Sequence, residues 1–108
     1  MNDYKQLEPI KQGDTFEIWA DYSADGAAEI FDPSELMCTV RNPVGTAMCN
    51  LTVSAGDVPG RYVLNAGPTV TIKWPVGYVL LDIKRTKGNG EVTRTETMSV
   101  VIDKAVTK

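Results

Sequence analysis

The chain has no histidine. That absence removes the usual general base, the side chain that titrates near neutral pH and the commonest metal ligand. It holds two cysteines among 108 residues, too few for a disulfide scaffold or a cysteine-rich zinc site. No apolar run approaches the roughly 20 residues of a membrane-spanning helix. The longest, Val76 to Leu81, contains Gly77 and reads as a strand. The opening Met1-Asn2-Asp3-Tyr4-Lys5-Gln6 carries both signs of charge with no apolar stretch behind it. It does not read as a signal peptide, so synthesis in a cytoplasm is expected. An excess of basic residues is also missing: 11 Lys and Arg stand against 14 Asp and Glu, a net charge of −3. A basic nucleic-acid platform is therefore disfavoured.

What is present is ordinary globular composition, 43% hydrophobic and 23% charged, in a length that suits one domain. Turn signals recur at Gly13-Asp14, Asp25-Gly26, Asp32-Pro33, Asn42-Pro43-Val44-Gly45, Asp57-Val58-Pro59-Gly60, Asn65-Ala66-Gly67-Pro68, Trp74-Pro75-Val76-Gly77 and Gly88-Asn89-Gly90. Short alternating segments between them predict strands spaced as in a sandwich or barrel, with no substantial helix.

Thr15 to Tyr22 alternates, with Phe16, Ile18, Ala20 and Tyr22 on one face and Trp19 on the other. A two-residue Pro43-Val44 loop sets Val40 opposite Ala47, Cys38 opposite Cys49 and Leu36 opposite Leu51, all on one face. A three- or four-residue loop is the variant, because Pro is poorly suited to a tight hairpin turn. A second hairpin turning at Asn89-Gly90 sets Leu81 opposite Met98, Val79 opposite Val100 and, less well, Ile83 opposite Glu96. Thr93, Thr95, Thr97 and Ser99 form a polar stripe. Leu7 to Lys11 reads as an edge strand because of Pro9. Arg61 to Asn65 and Thr69 to Lys73 read as short strands, and Ala27 to Phe31 as a strand or an irregular crossing. The termini, Met1 to Glu8 and Lys104 to Lys108, are expected to fray without a partner. The sum is an all-β, antiparallel sandwich of about seven strands in one domain, residues 1–108.

Chemistry is sparse. Cys38 and Cys49, if opposed, invite a bridge, but small buried thiols are the better reading in a reducing compartment. Asp21, Asp25, Glu29, Asp32 and Glu35 cluster in sequence and could hold a cation, yet no EF-hand spacing is present and a solvated, turn-rich loop is favoured. Lys84, Arg85, Lys87 and Arg94 form a basic patch of the kind that protects a sheet edge. No nucleophile elbow or phosphate loop exists, so no catalytic, cofactor or metal residue is assigned and an enzyme is not expected. Trp19, Trp74 and Tyr78 are the candidates for an interface, since such rings bury large area and keep a polar tip.

One order of signals is more specific. Gln12-Gly13-Asp14-Thr15-Phe16 leads into an alternating strand, and Asp25-Gly26 and Phe31-Asp32-Pro33 follow. A strand then ends in Val40-Arg41, before Pro59-Gly60-Arg61-Tyr62 and Trp74-Pro75-Val76-Gly77-Tyr78 with Leu81-Asp82-Ile83. The pattern resembles the small immunoglobulin-like β-sandwich proteins of tailed bacteriophages, such as the N-terminal domains of baseplate upper proteins and related neck and tail components. The resemblance implies a non-enzymatic structural part of a virion, made in the host cytoplasm and working as tail, neck, baseplate, decoration or adaptor protein. Its implied partners are other virion proteins and copies of itself in a symmetric assembly, with no nucleic acid, membrane or cofactor. The alternative is a soluble β-sandwich module that binds carbohydrate or peptide through its aromatic rings.

Overall fold

A computed structural model of the protein describes residues 5–95 and 97–105. It is an all-β sandwich. Along the chain the strands are β1 (Lys5–Gln6), β2 (Ile10–Lys11), β3 (Phe16–Asp21), β4 (Ser23–Ala24), β5 (Ala27–Ala28) and β6 (Leu36–Arg41). They continue as β7 (Ala47–Asn50), β8 (Thr52–Ala55), β9 (Arg61–Ala66), β10 (Gly77–Thr86), β11 (Val92–Arg94) and β12 (Met98–Asp103). One sheet runs β1-β12-β10-β6-β7, with β2 also on β12 and β11 on β10; a second runs β3-β9-β8, and β4 and β5 pair as a short separate ribbon. This is the immunoglobulin arrangement of two stacked sheets. It departs from all-antiparallel pairing at one edge, where β1 and β2 join β12 in parallel.

Period-two alternation builds the core. Leu36, Cys38 and Val40 of β6 point inward, as do Val79, Leu81 and Ile83 of β10 and Met98, Val100 and Ile102 of β12. Phe16, Tyr62, Leu64 and Ala66 face them from the second sheet. Leu64 is fully buried, so truncation to Ala would cost about 2–5 kcal/mol.

The first hairpin takes the three-residue variant of its turn, and the second also closes with three residues in place of Asn89-Gly90; a left-handed glycine ends each loop. The first loop is Pro43-Val44-Gly45. Gly45 N–H donates to Asn42 O (2.9 Å), Asn42 N–H donates to Thr46 O (3.0 Å), and Gly45 takes φ +92°. That is a type I turn closed by a left-handed glycine, a geometry Pro can enter. A second irregularity between Val40 and Arg41 leaves Met48 as an extra residue, so Val40 faces Cys49. One slip would invert the strand's faces; two slips restore them. The apolar face therefore stays inward while the pairs change. Leu51, not Cys49, donates to Cys38 O. The two thiols are thus diagonal neighbours, roughly 7 Å apart at Cα, instead of an opposed pair, and both are free.

The second hairpin repeats the device. Its loop is Gly88-Asn89-Gly90, with Gly90 at φ +91° and Lys87 N–H donating to Glu91 O (2.8 Å). One extra residue between Arg94 and Met98 cancels the shift, so Leu81 faces Met98 and Val79 faces Val100 as expected. The predicted pairing of Ile83 with Glu96 falls outside the described residues. So do residues 1–4 and 106–108 of the predicted tails, although Lys5 and Gln6 are paired in β1.

Three further elements correct the sequence reading. The stretch after Cys49 is not one strand: the chain changes sheets at Leu51, and Thr52 then pairs with Asn65. Thr69 to Lys73 is not a strand. Pro68–Thr71 forms a helical turn capped by Gly67, with Val70 and Thr71 N–H groups donating to Gly67 O. Pro at the first helical position outweighs the β-branched side chains that follow it. Arg85 lies on the inward parity of β10 and is buried, so it is no part of an exposed basic patch.

Candidate functional site

The aromatic candidates do not form one surface. Trp19 projects from the outer face of β3, 58% exposed, with the Arg61 guanidinium 4.5 Å from its ring and its indole N–H donating to Glu17 Oε2 at 3.0 Å. Tyr78 is 40% exposed on the outer face of the opposite sheet, in register with Val101. Trp74 is 2% exposed and packs edge-to-face on Phe16, with ring centres 5.6 Å apart. It cannot present an interface, because its area is spent in the core.

Four members of the acidic cluster, Asp21, Glu29, Asp32 and Glu35, are held by the protein's own cations and amides. Asp21 takes two bonds from Arg61, at 2.9 and 3.2 Å, which hold its carboxyl below the ordinary range. Asp32 caps the short turn Pro33–Glu35 by accepting from Ser34 N–H at 2.8 Å, which lowers its pKa as well. Arg85 Nη1 lies 2.9 Å from Glu29 Oε2, and Arg85 Nε lies 3.2 Å from Glu35 Oε1. Its guanidinium stands 3.7 Å over the Phe31 ring. Burial pulls the Arg85 pKa down, but the two carboxylates outweigh it and leave the group above its ordinary value. Phe31 in turn stacks on Tyr62 at 4.4 Å, and Tyr62 Oη both accepts from Phe31 N–H and donates to Phe31 O, each at 2.7 Å. These groups strap residues 29–35 onto the sandwich. They are satisfied structure.

A different place has unmet chemistry. A half-open cleft of about 490 Å³ lies where the bulged strand β7 approaches the helical turn, lined by Met48, Cys49, Thr69, Val70, Lys73 and Trp74. The turn is pinned from two sides. Thr71 Oγ1 donates to Asp14 O at 2.7 Å, and Gln12 Nε2 donates to Trp74 O at 2.8 Å. The Trp74 indole N–H is buried with no acceptor among the described residues, an arrangement that costs about 1–3 kcal/mol when nothing meets it. Lys73 is exposed and makes no ion pair among the described residues. No carboxylate lines the cleft. Every strongly polar group there is a donor, or a hydroxyl able to donate. Of these residues sequence reasoning marked only Trp74 and Cys49, and neither for this cleft. The Gly67-Pro68 pair was the available signal of a helical turn.

No protein family and no curated protein sequence matches the chain. Comparison with solved structures finds the crystal structure of CopC from Methylosinus trichosporium OB3b. The match has a TM-score of 0.58 at 9% identity and covers 97% of this chain and 88% of that one. At that identity the likeness establishes the fold alone. The virion function that the sequence resemblance implied is corrected to this extent: the solved structure that the chain resembles is a CopC protein and not a phage component. The likeness runs over nearly the whole length of both chains, and nothing in it points to a phage particle.

The donors present do not fit a copper site of imidazole and carboxylate ligands. Histidine is absent, and no three His, Cys, Asp or Glu side chains converge among the described residues. Burial pushes the Cys38 thiol up to about 12, so it stays protonated and inert at neutral pH. Met48 and Cys49 supply two soft sulfurs, short of the ligands a closed site requires.

Proposed function

We propose that this chain is a binding module, acting by capture and not by catalysis, whose ligand is a small amphipathic anion held in the cleft between β7 and the Pro68–Thr71 turn. The observation that carries the reading is the buried Trp74 indole N–H without an acceptor, in the wall of a cleft that also offers the Lys73 ammonium and no carboxylate. Met48 and Val70 give an apolar wall with the buried Trp74 behind it; Lys73 and Thr69 supply the polar groups. Clefts of this size with a few convergent polar groups are the usual form of small-ligand sites. A compact aliphatic or aromatic body with one carboxylate matches both halves.

The test uses a Trp19→Phe background, which leaves Trp74 as the sole indole. Branched aliphatic and aromatic monocarboxylates are compared with the corresponding amines by thermal shift and by Trp74 fluorescence. Carboxylates are expected to raise the melting temperature and alter the emission, and amines to do neither. Lys73→Gln should weaken carboxylate binding roughly 3- to 10-fold while leaving the unliganded melting temperature unchanged. Equal response to amines and carboxylates, no response to either, or binding indifferent to Lys73→Gln would each overturn the reading.

A further inference from the structure

The second sheet ends in a bare strand. Among the described residues β3 pairs only with β9, and Phe16–Asp21 make no backbone hydrogen bond outside that ladder. In an immunoglobulin sandwich of the constant type the first strand covers this edge. Here β1 and β2 go instead to β12 of the opposite sheet. Between them and β3 runs a groove of about 330 Å³, lined by residues 7–10 and 15–18. Leu7, Ile10, Phe16 and Ile18 make it apolar, and Glu8 and Glu17 place two carboxylates along it. Neither carboxylate is in an ion pair among the described residues. Pro9 has no N–H, so the segment opposite β3 is poorly equipped to close the gap by pairing.

Exposed edges are ordinarily protected by Lys, Pro, a bulge or a covering segment. The sequence Phe16-Glu17-Ile18-Trp19-Ala20-Asp21 has no Lys, Gly or Pro. Only acid guards it, and acid excludes acidic strands while admitting basic ones.

We propose that the β3 edge accepts an extended basic strand from a partner protein. The partner's main chain would pair with the free groups of β3, its alternate apolar side chains would enter the groove beside Leu7 and Ile18, and its Lys or Arg residues would meet Glu8 and Glu17. A second copy of this chain suits the edge poorly, since two β3 strands would bring Glu17 and Asp21 of each copy together as like charges.

The experiment titrates the full-length, isotope-labelled protein with peptides of about eight residues and follows backbone amides by NMR. One peptide alternates Val and Lys, a second Val and Glu, and a third is the basic peptide with a central Pro. Only the first is expected to bind, with shifts and slowed amide exchange centred on Glu17, Ile18 and Trp19. Glu17→Lys, an exposed substitution, should weaken the basic peptide about tenfold and admit the acidic one, with thermal stability unchanged. Lys73→Gln should leave peptide binding intact, which separates this edge from the cleft. Failure of the basic peptide at about 1 mM, equal binding of all three peptides, or shifts mapping away from β3 would overturn the proposal. So would concentration-dependent dimers with β3 amides protected, which would make the occupant a second copy.

Discussion

Replacing Arg85 by Met would remove the positive charge while keeping most of the aliphatic stem. The native side chain is 8% exposed and serves Glu29 and Glu35, whose side chains are 30% and 23% exposed. Breaking a fully buried ion pair costs about 3–5 kcal/mol, because the abandoned charge stays out of water. Here water still reaches both carboxylates, so the cost falls below that range, to about 2 kcal/mol. The cation over Phe31 adds about 1–2 kcal/mol, partly offset by the methionine that takes its place. The expected net loss is about 2–3 kcal/mol. For 108 residues that corresponds to a fall of roughly 8–12 °C in melting temperature. Urea and thermal denaturation at neutral pH measure it. The triple variant Arg85→Met/Glu29→Gln/Glu35→Gln should recover most of the loss, since the stranded charges are gone. A single variant within about 0.5 kcal/mol of the native protein, or a triple variant no better than the single, refutes the reasoning.

Gly60 sits at φ +81°, and a Cβ there would stand 2.6 Å from Tyr22 O and 3.1 Å from Ala28 Cβ. Gly60→Ala is therefore expected to cost about 2–4 kcal/mol, whereas Gly67→Ala, with open space around it, should cost little; paired urea melts check this. A thiol reagent at pH 8 should modify one cysteine in the native protein, the half-buried Cys49, and reach Cys38 only in denaturant; two fast equivalents in the native state would contradict the burial argument. Asp21, Asp32 and Glu91 all have lowered folded pKa values, through Arg61, Ser34 and Lys87 respectively. Their stabilisation is present above the ordinary carboxylate range and lost as pH falls through the folded values, so the urea midpoint should drop between about pH 5 and pH 2. The decline should be shallower in Asp21→Asn. Cu(II) at equimolar concentration should leave the melting temperature unmoved, because the ligands it favours are missing; a clear rise would show a donor set that this reading lacks.

Alternation made most of the framework legible. Phe16, Ile18 and Ala20, and likewise Val79, Leu81 and Ile83, announce their inward faces by period two, and Asp25-Gly26 announces its tight turn, both residues taking positive φ. Punctuation was the weaker guide. No Gly or Pro marks the sheet change at Leu51, so nothing in the sequence sets Thr52–Ala55 apart as a strand of its own. Arg85 obeys the same parity as Ile83, but its charge suggested the surface; parity was the better evidence, and Glu29 and Glu35 were its unread counterparts. The cleft was not legible because its walls, β7 and residues 69–74, approach only through tertiary packing, and the bulge at Met48 has no local signature.

The compensated hairpins carry an implication for how this chain can tolerate length changes. Each arm combines one irregularity at its tip with another farther along, and the two cancel. Deleting Met48, which no residue of β6 faces, would straighten the arm with Cys49 and Leu51 still inward, and an insertion beside Gly90 would only lengthen the loop. Among distant descendants of such a sequence, single-residue gaps should therefore gather at the bulge and at the loop tips, and be scarce in the regular ladder between them.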